Sequence, residues 1–496
     1  SSTHSRRNWA PNCCSQQKAA PPRWCSRWPR GCDFLDSCPV WGIICPTMNS
    51  KRSFYSRLFS LAIPIIAQTF ISSSLNLLDV LMIGQLGETS VASVGLANQV
   101  FFLLQFLLFG INSGAAVFTA QLWGKGDVPN IRRVLGIGLT MGVSGGLLFG
   151  AIALLAPETA LSIYTQDPAV KELGSSYLRT VGYSYPLMAL TFGYASVLRS
   201  TGNVRPPMMV SIIALSIKTM LNYLLIFGNL GFPELGVQGA ALSTAIARTL
   251  ECIMMLSYTY IKRLPTAGTP RELFSFERKF VWTYLKIAFP VVINEVLWSM
   301  GISAYNAVYG HIGTEAIAAI NIASTIESLA FVIFIGISDA TGILVGNQIG
   351  AKDEPGAFET AGRSIRLAVL GAMLMGGVIF IISGPMLTLY NVAPEVKLFA
   401  RSILTIQACL LWVRVSNMTL IVGVLRSGGD TRFSMFLDGV MMWIVGVPSA
   451  LLGAFVFHLP VYWVYLMVMS EELLKFVLSL LRYRSKKWIH NVSQAV

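Results

Sequence analysis

The sequence predicts an all-α integral membrane protein of twelve transmembrane helices in two six-helix lobes. Three observations lead there: composition, the spacing of apolar blocks, and an internal repeat. Charged residues are 12% of the chain and hydrophobic residues 54%, against about 25% charged in a soluble domain. The apolar residues come in long blocks, such as Leu135 to Ala156, Leu367 to Ile382 and Phe433 to Phe457. About 20 such residues cross the ~30 Å hydrocarbon layer as a helix.

Taken in order, the blocks give six spans in the first half, at 58–83, 91–122, 134–156, 174–198, 207–228 and 237–261. Six more follow at 284–310, 315–349, 361–384, 397–425, 433–456 and 460–482. The second and eighth are long enough to require a tilt or a bend.

The chain divides accordingly into a leader (1–47), an N-terminal lobe (48–261), a cytoplasmic linker (262–283), a C-terminal lobe (284–482) and a cytoplasmic tail (483–496). The leader holds six of the eight cysteines and no methionine. It has neither a Cys-x2-Cys pair for zinc nor an apolar signal core, so it reads as artefactual or disordered, with Met48 as the natural start. Cys252 and Cys409 lie in apolar blocks and read as packing residues, with no disulfide framework. A short surface helix is expected in the linker around Phe274 to Lys279.

The formal charge of +13 does not imply nucleic acid, because the basic residues sit in alternate loops between apolar blocks. One set includes Arg57, Arg132, Arg133, Arg205, Arg263, Lys352, Arg363, Arg426, Arg432 and Arg484; the opposite set holds little beyond Lys171, Arg179, Lys397 and Arg401. The positive-inside rule then puts both termini in the cytoplasm of a multi-pass protein. The expected membrane is the plasma membrane, or the inner membrane in a Gram-negative cell. No Gly-x4-Gly-Lys phosphate loop is present, which argues against an ATP-driven motor in this chain.

Aligning Pro64 with Pro290 sets an offset of 226 that also places Gly84, Gly87, Gly110, Gly124 and Asp127 on Gly310, Gly313, Gly336, Gly350 and Asp353. One residue later in register, the stretch from Leu198 to Arg205 falls on Leu425 to Arg432. Six spans per repeat enter the membrane in the same sense, so a pseudo-twofold axis along the membrane normal should relate the lobes, with a substrate path between them. On the third span Gly138, Gly142, Gly146 and Gly150 lie four apart, opposite Ser364, Ala368, Ala372 and Gly376 in the other half. Such a stripe lets a neighbouring backbone approach.

Charges inside spans need a reason, since each costs at least ~2.5–3.5 kcal/mol at the bilayer centre. Asp79 in the first span is either an ion- or proton-binding acid or a carboxylate near a helix end. Lys218 and Asn222, four apart on the fifth span, share a face; Lys218 either pairs with an acid such as Asp79 or snorkels to the interface. Glu295, beside Asn294 and Trp298, is the acid favoured for function in the second half. Glu327, Asp339, Arg414 and Asp438 form a possible second-lobe polar network, with Arg414 a counter-ion for one of the acids and Asp339 near a break at Gly336. Arg248 with Glu251, and Glu471 and Glu472 with Lys475, read as structural pairs near cytoplasmic helix ends. Tyr305, Tyr309, Trp412 and Trp443 either line a cavity for flat cations or pack between helices. No residues point to catalysis, a metal centre or a cofactor.

The stretch Leu77-Leu-Asp-Val-Leu-Met-Ile-Gly84 after Pro64, the segment Ala120-Gln-Leu-Trp-Gly-Lys-Gly-Asp127, and the paired Leu-Arg-Ser-x-Gly motifs at 198 and 425 resemble the multidrug and toxic compound extrusion (MATE) family. The resemblance covers about residues 55–482. It implies export of drugs or lipophilic organic cations in exchange for H⁺ or Na⁺ by alternating access, with the lipid bilayer as the other partner and a monomer as the working unit. Asp79 matches the family's first-span acid and Asn222 a polar position of the same site. Lys218 departs, because relatives commonly carry asparagine there; an ammonium would occupy the place of a bound Na⁺. Glu295 lies in the helix where relatives carry a second acid, though not at the same turn. The alternatives are a lipid-linked sugar flippase, which calls for a cavity lined with arginines, and an intramembrane enzyme, which calls for clustered histidines and acids.

Overall fold

In lipid, each backbone N–H and C=O must be satisfied within its own segment or a closed sheet. The computed structural model describes residues 51–494 apart from 389 and 391, and it answers that demand with helices; no strand occurs among the described residues. The leader and Met48 lie outside them.

The first half contains α1 (Lys51–Gly84), α2 (Glu88–Lys125), α3 (Val128–Leu155), α4 (Pro157–Ser162), α5 (Pro168–Gly182), α6 (Tyr185–Ser200), α7 (Arg205–Phe227) and α8 (Val237–Ile261). A short α9 (Pro270–Phe274) precedes α10 (Arg278–Ile312), α11 (Thr314–Gly350) and α12 (Glu354–Thr388). The last crossings are α13 (Pro394–Arg426), α14 (Thr431–Val456) and α15 (Val461–Arg484). Ten of these helices are long and apolar enough to cross a membrane alone. The fourth crossing is α5 and α6 together, and the twelfth is α15, whose apolar stretch is diluted by Glu471, Glu472 and Lys475.

Three local outcomes differ from the sequence reading. The fourth crossing breaks at Tyr183 and Ser184, one residue after Gly182 and ahead of Pro186. The stripe on α3 faces that break: a methyl group on Gly146 would collide with Pro186, and one on Gly150 would press on the carbonyl of Gly182. By contrast α11 runs unbroken through Gly336, so Asp339 caps nothing. The linker helix lies four residues earlier than expected. Thr269 and Glu272 form a capping box that starts it at Pro270, and α10 has begun by Arg278. Arg132 clamps this linker to α3 through Glu272 (2.9 Å) and the carbonyl of Pro265 (3.2 Å). The Thr269 backbone N–H, and then Arg132, hold the Glu272 carboxyl below its ordinary range.

The repeat is visible in matched turns. After α2 the chain reverses through Gly126 at φ 78, and Asp127 caps α3 by accepting from the Asn130 N–H. At the related place Lys352 takes a left-handed φ of 62 and Asp353 accepts from the Gly356 N–H. A lysine there stores some strain that glycine avoids.

The two cores do not follow the two halves of the sequence. Phe54, Leu58 and Ala62 of α1 join the C-terminal core with Ala330, Phe334 and Ile337, whereas Phe280, Tyr284 and Ala288 of α10 join the N-terminal core with Ala115 and Phe118. Each lobe therefore lends the first half of its first helix to the other. Contacts obey the 226 offset: a methyl on Gly110 would collide with Val292, and one on Gly336 with Ile66. At the end of the bundle carrying the basic loops, a methyl on Gly124 would strike the carbonyl of Asn347, and one on Gly350 the carbonyl of Gln121. Both pairs are related by the same shift, so α2 and α11 cross backbone to backbone and shut that end.

The last residues seal the same place. Trp488 is fully buried against Gly428. Gln121 donates to the carbonyls of Ser427 (3.2 Å) and His490 (3.1 Å) and accepts from the Val492 N–H (2.7 Å). Asn491 donates to the Ile349 carbonyl (3.0 Å) and Lys125 to that of Ser493 (3.0 Å). The tail is thus a strap over both lobes.

Candidate functional site

In the N-terminal lobe, α1 and α7 bring three predicted residues together. Asp79 is 6% exposed. Lys218 donates to its Oδ2 at 2.5 Å and Asn222 to its Oδ1 at 2.7 Å. The four-residue spacing of Lys218 and Asn222 puts both donors on one face of α7, and the carboxylate uses both oxygens. Lys218 therefore pairs rather than snorkels.

The C-terminal lobe is built differently. At the repeat position of Asp79 stands Tyr305, 7% exposed. Its hydroxyl donates to Glu471 Oε2 at 2.5 Å. Gly446 makes that contact possible, since any Cβ there would collide with both partners. Lys475 Nζ sits 2.5 Å from Glu471, 3.6 Å from Asp438 and 3.9 Å from Glu472. Two amides complete the cluster: Asn417 donates to Glu472 (2.7 Å) and Asn294 to Asp438 (3.0 Å). Asp438 reaches inward from a π-helical turn, Phe436–Val440; such a turn holds an extra residue and is common at functional sites.

Glu327 is paired with Arg414, and Gln407 donates to both Glu327 and Tyr465 at 3.1 Å. Glu295 lies 3.2 Å from Arg426, which reaches across to Ser113 of α2 at 3.4 Å. Asp339 is exposed and near enough to Arg199 and Arg426 to feel both charges. Among the described residues, no group of three His, Cys, Asp or Glu is placed to hold a metal ion.

The four members of the expected second-lobe network are thus not in mutual contact. Glu327 with Arg414 form one pair, Asp438 belongs with α15, and Asp339 stands apart. Trp298 is 40% exposed. Arg426, assigned by sequence to a basic loop, is 3% exposed in an ion pair. Glu471, Glu472 and Lys475 are not a helix-end pair but the middle of α15, tied to three other helices, α10, α13 and α14. Tyr305 and Tyr309 are buried, the former with its hydroxyl on Glu471, Trp412 packs on Phe476, and Trp443 donates to the Leu297 carbonyl (3.0 Å). Cys252 is buried as expected, while Cys409 is exposed. The signal that could have exposed the α15 cluster was there: three charges within five residues of a twelfth apolar block.

A family model described as MatE matches residues 64–224 and 290–452, one stretch in each lobe. An uncharacterised transporter of Bacillus subtilis, YisQ, is 26% identical over 432 residues, covering 87% of this chain and 94% of that one. A protein of Thermotoga maritima named as a probable multidrug resistance protein, NorM, is 25% identical over 442 residues, covering 87% and 92%. Among solved structures, the Vibrio cholerae MATE transporter VcmN in its bent form superimposes with a TM-score of 0.79 at 19% identity, covering 88% of this chain and 97% of that one. A transporter of the MOP superfamily from Pyrococcus furiosus, described as having a binding pocket of reverse polarity that suggests a different function, gives 0.78 at 20% identity, covering 88% and 97%.

Proposed function

The chain belongs to the MatE family of membrane transporters, and from that premise we propose that it is an antiporter exporting lipophilic organic cations in exchange for protons. Relatives named as multidrug resistance proteins support the cargo class. The observation that carries the coupling is the buried triad of Asp79, Lys218 and Asn222. Lys218 stands where a bound metal cation would neutralise Asp79, which favours a proton over Na⁺ as the exchanged ion. A shift of α1 against α7 within the N-terminal lobe that parts Lys218 from Asp79 leaves a buried carboxylate without a counter-ion, and a proton from water then neutralises it. Re-forming the pair expels that proton. Alternation between the two states supplies the stroke.

By the positive-inside rule the sealed basic end faces the cytoplasm, together with both termini, in a plasma-membrane monomer. In that orientation the crossing of Gly124 and Gly350 and the strap over it form the inner gate. The flippase alternative loses support, because Arg426 is taken up by Glu295 rather than lining a gap. Proteoliposomes with H⁺ and Na⁺ gradients imposed separately test the reading. Cation export is expected on a proton gradient alone; a strict Na⁺ requirement overturns the coupling, and no gradient-driven export overturns antiport.

A further inference from the structure

The strap after α15 does not belong equally to both lobes. Its first part is built into the C-terminal lobe. Trp488 is 0% exposed, packs with Val345, Leu425 and Tyr483, and gives its indole N–H to the Tyr483 carbonyl at 3.1 Å. The His490 N–H donates to the Gly428 carbonyl (2.8 Å) and Asn491 to that of Ile349 (3.0 Å). At Val492 the allegiance changes. Val492, 7% exposed, belongs to the N-terminal core with Phe118. Its N–H donates to Gln121 at 2.7 Å, and the Ser493 carbonyl accepts from Lys125 at 3.0 Å. A buried tryptophan removes about 150–250 Å² from water, and a valine much less. When the lobes part at the basic end, the smaller attachment yields, so the strap stays with the C-terminal lobe and Val492 and Ser493 come away.

A second observation ties that release to the opening of the gate. Gln121 is 0% exposed, and its side chain bonds only to the C-terminal lobe and the strap. Its amide donates to the Ser427 and His490 carbonyls, and its carbonyl accepts from the Val492 N–H. Drawing Val492 out while α2 and α11 stay crossed leaves the Gln121 oxygen buried without a donor, at the full cost of its desolvation. Water relieves that cost only once the two helices separate. Conversely, Asn491 and Val492 are consecutive and held by opposite lobes, so the strap has no slack to let the helices part while Val492 is seated. Release and opening therefore happen together.

We propose that residues 486–493 are a latch carried by the C-terminal lobe, whose catch, Val492 and Ser493, seats in the N-terminal lobe when the basic end is closed and unseats each time that end opens. The glycine crossing is a passive seal, remade whenever the lobes meet. The catch is a separate two-state element, and its seating shifts the population toward the closed basic end. A weaker catch thus opens the gate more often without touching Asp79 or the cargo path. The proposal deepens the alternating-access reading and rests on it for its use in export, but not for its detection.

Two measurements test it, on the full chain with its native cysteines replaced by alanine. In nanodiscs without a gradient, spin labels at Pro129 and Glu354, exposed on the basic-end turns of the two lobes, report the separation of those turns. Val492→Asp should raise the ratio of open to closed distances about tenfold, and Lys125→Ala, a milder change, about two- to threefold. Unchanged distances in a folded Val492→Asp variant overturn the latch; if that variant does not fold, Lys125→Ala decides. In proteoliposomes a short reducible cross-linker joins the cysteines of Lys125→Cys, Ser493→Cys or of Ile349→Cys, Asn491→Cys, and each variant is compared with itself after reduction. The first link pins the catch to the N-terminal lobe and should stop export until it is reduced. The second lies within the C-terminal lobe and should leave export unchanged. Arrest by the second link shows that the strap does not travel with that lobe, and arrest by neither shows that the catch need not unseat; each overturns the proposal. Distances that shift as expected in a protein that exports nothing even when reduced keep the latch and remove only the antiport reading.

Discussion

The two lobes share a scaffold and differ in chemistry. Gly110 and Gly336, Gly124 and Gly350, and the caps Asp127 and Asp353 repeat contact for contact. Yet where the N-terminal lobe has Asp79, the C-terminal lobe has Tyr305, and its acid has moved to α15. The close approach at these glycine positions leaves no room for a Cβ, so only glycine fits and they resist divergence. A buried charge needs only a partner within reach, and any packed helix can supply one. Duplication thus preserved geometry more strictly than it preserved the location of charge.

The sharpest way to break this comparison is Asp79→Asn. It is expected to bring gradient-driven export to background and to destabilise the lobe by about 3–5 kcal/mol, because Lys218 is left buried without a counter-ion. The double variant Asp79→Asn, Lys218→Asn should recover most of that stability without recovering export. Unfolding in detergent and proteoliposome transport measure the two effects; full export by the single variant removes Asp79 from the mechanism. Scaffold symmetry is tested next. Gly124→Ala and Gly350→Ala should loosen the basic end to a similar degree, read as raised labelling of a cysteine placed at Val345. An effect at one position alone would show that the lobes share less geometry than their contacts indicate.

Chemical asymmetry predicts unequal outcomes at another related pair. Gly446→Ala should cost about 1–3 kcal/mol by colliding with Tyr305 and Glu471, whereas Ala at its counterpart Thr219, whose hydroxyl is buried without a partner, should change stability by under about 0.5 kcal/mol. Equal costs would contradict the assignment. The smallest effect is expected from Lys218→Asn, which should make export several-fold more responsive to Na⁺ while retaining some proton drive. No response to Na⁺ would show that the lysine is not what excludes it.

Much of this was legible beforehand, for physical reasons. Apolar blocks of fixed length, glycines at constant offset and charges in alternate loops are local properties, and they gave the crossings, the repeat and the closeness of Lys218 to Asn222. What escaped was set by contacts between distant segments. Arg426 follows an apolar block and counts as a loop charge, yet it is buried in an ion pair with Glu295 on α10. Lys475 has acids three and four residues before it, and that sufficient local partner concealed Asp438 and Tyr305. The exchange of α1 and α10 between lobes left no mark in composition, because both faces of each helix are apolar.

The strap at the basic end also bears on how the protein is made. Val492 packs in the core of the N-terminal lobe with Phe118 and Tyr284, and Gln121 has hydrogen-bond partners in the backbone of residues 490 and 492. These partners are made long after Gln121. The lobe synthesised first therefore inserts with an unfinished core and waits through some 370 residues of translation for its closing piece. It takes the first half of α10 on the way, so neither lobe matures as a free-standing unit.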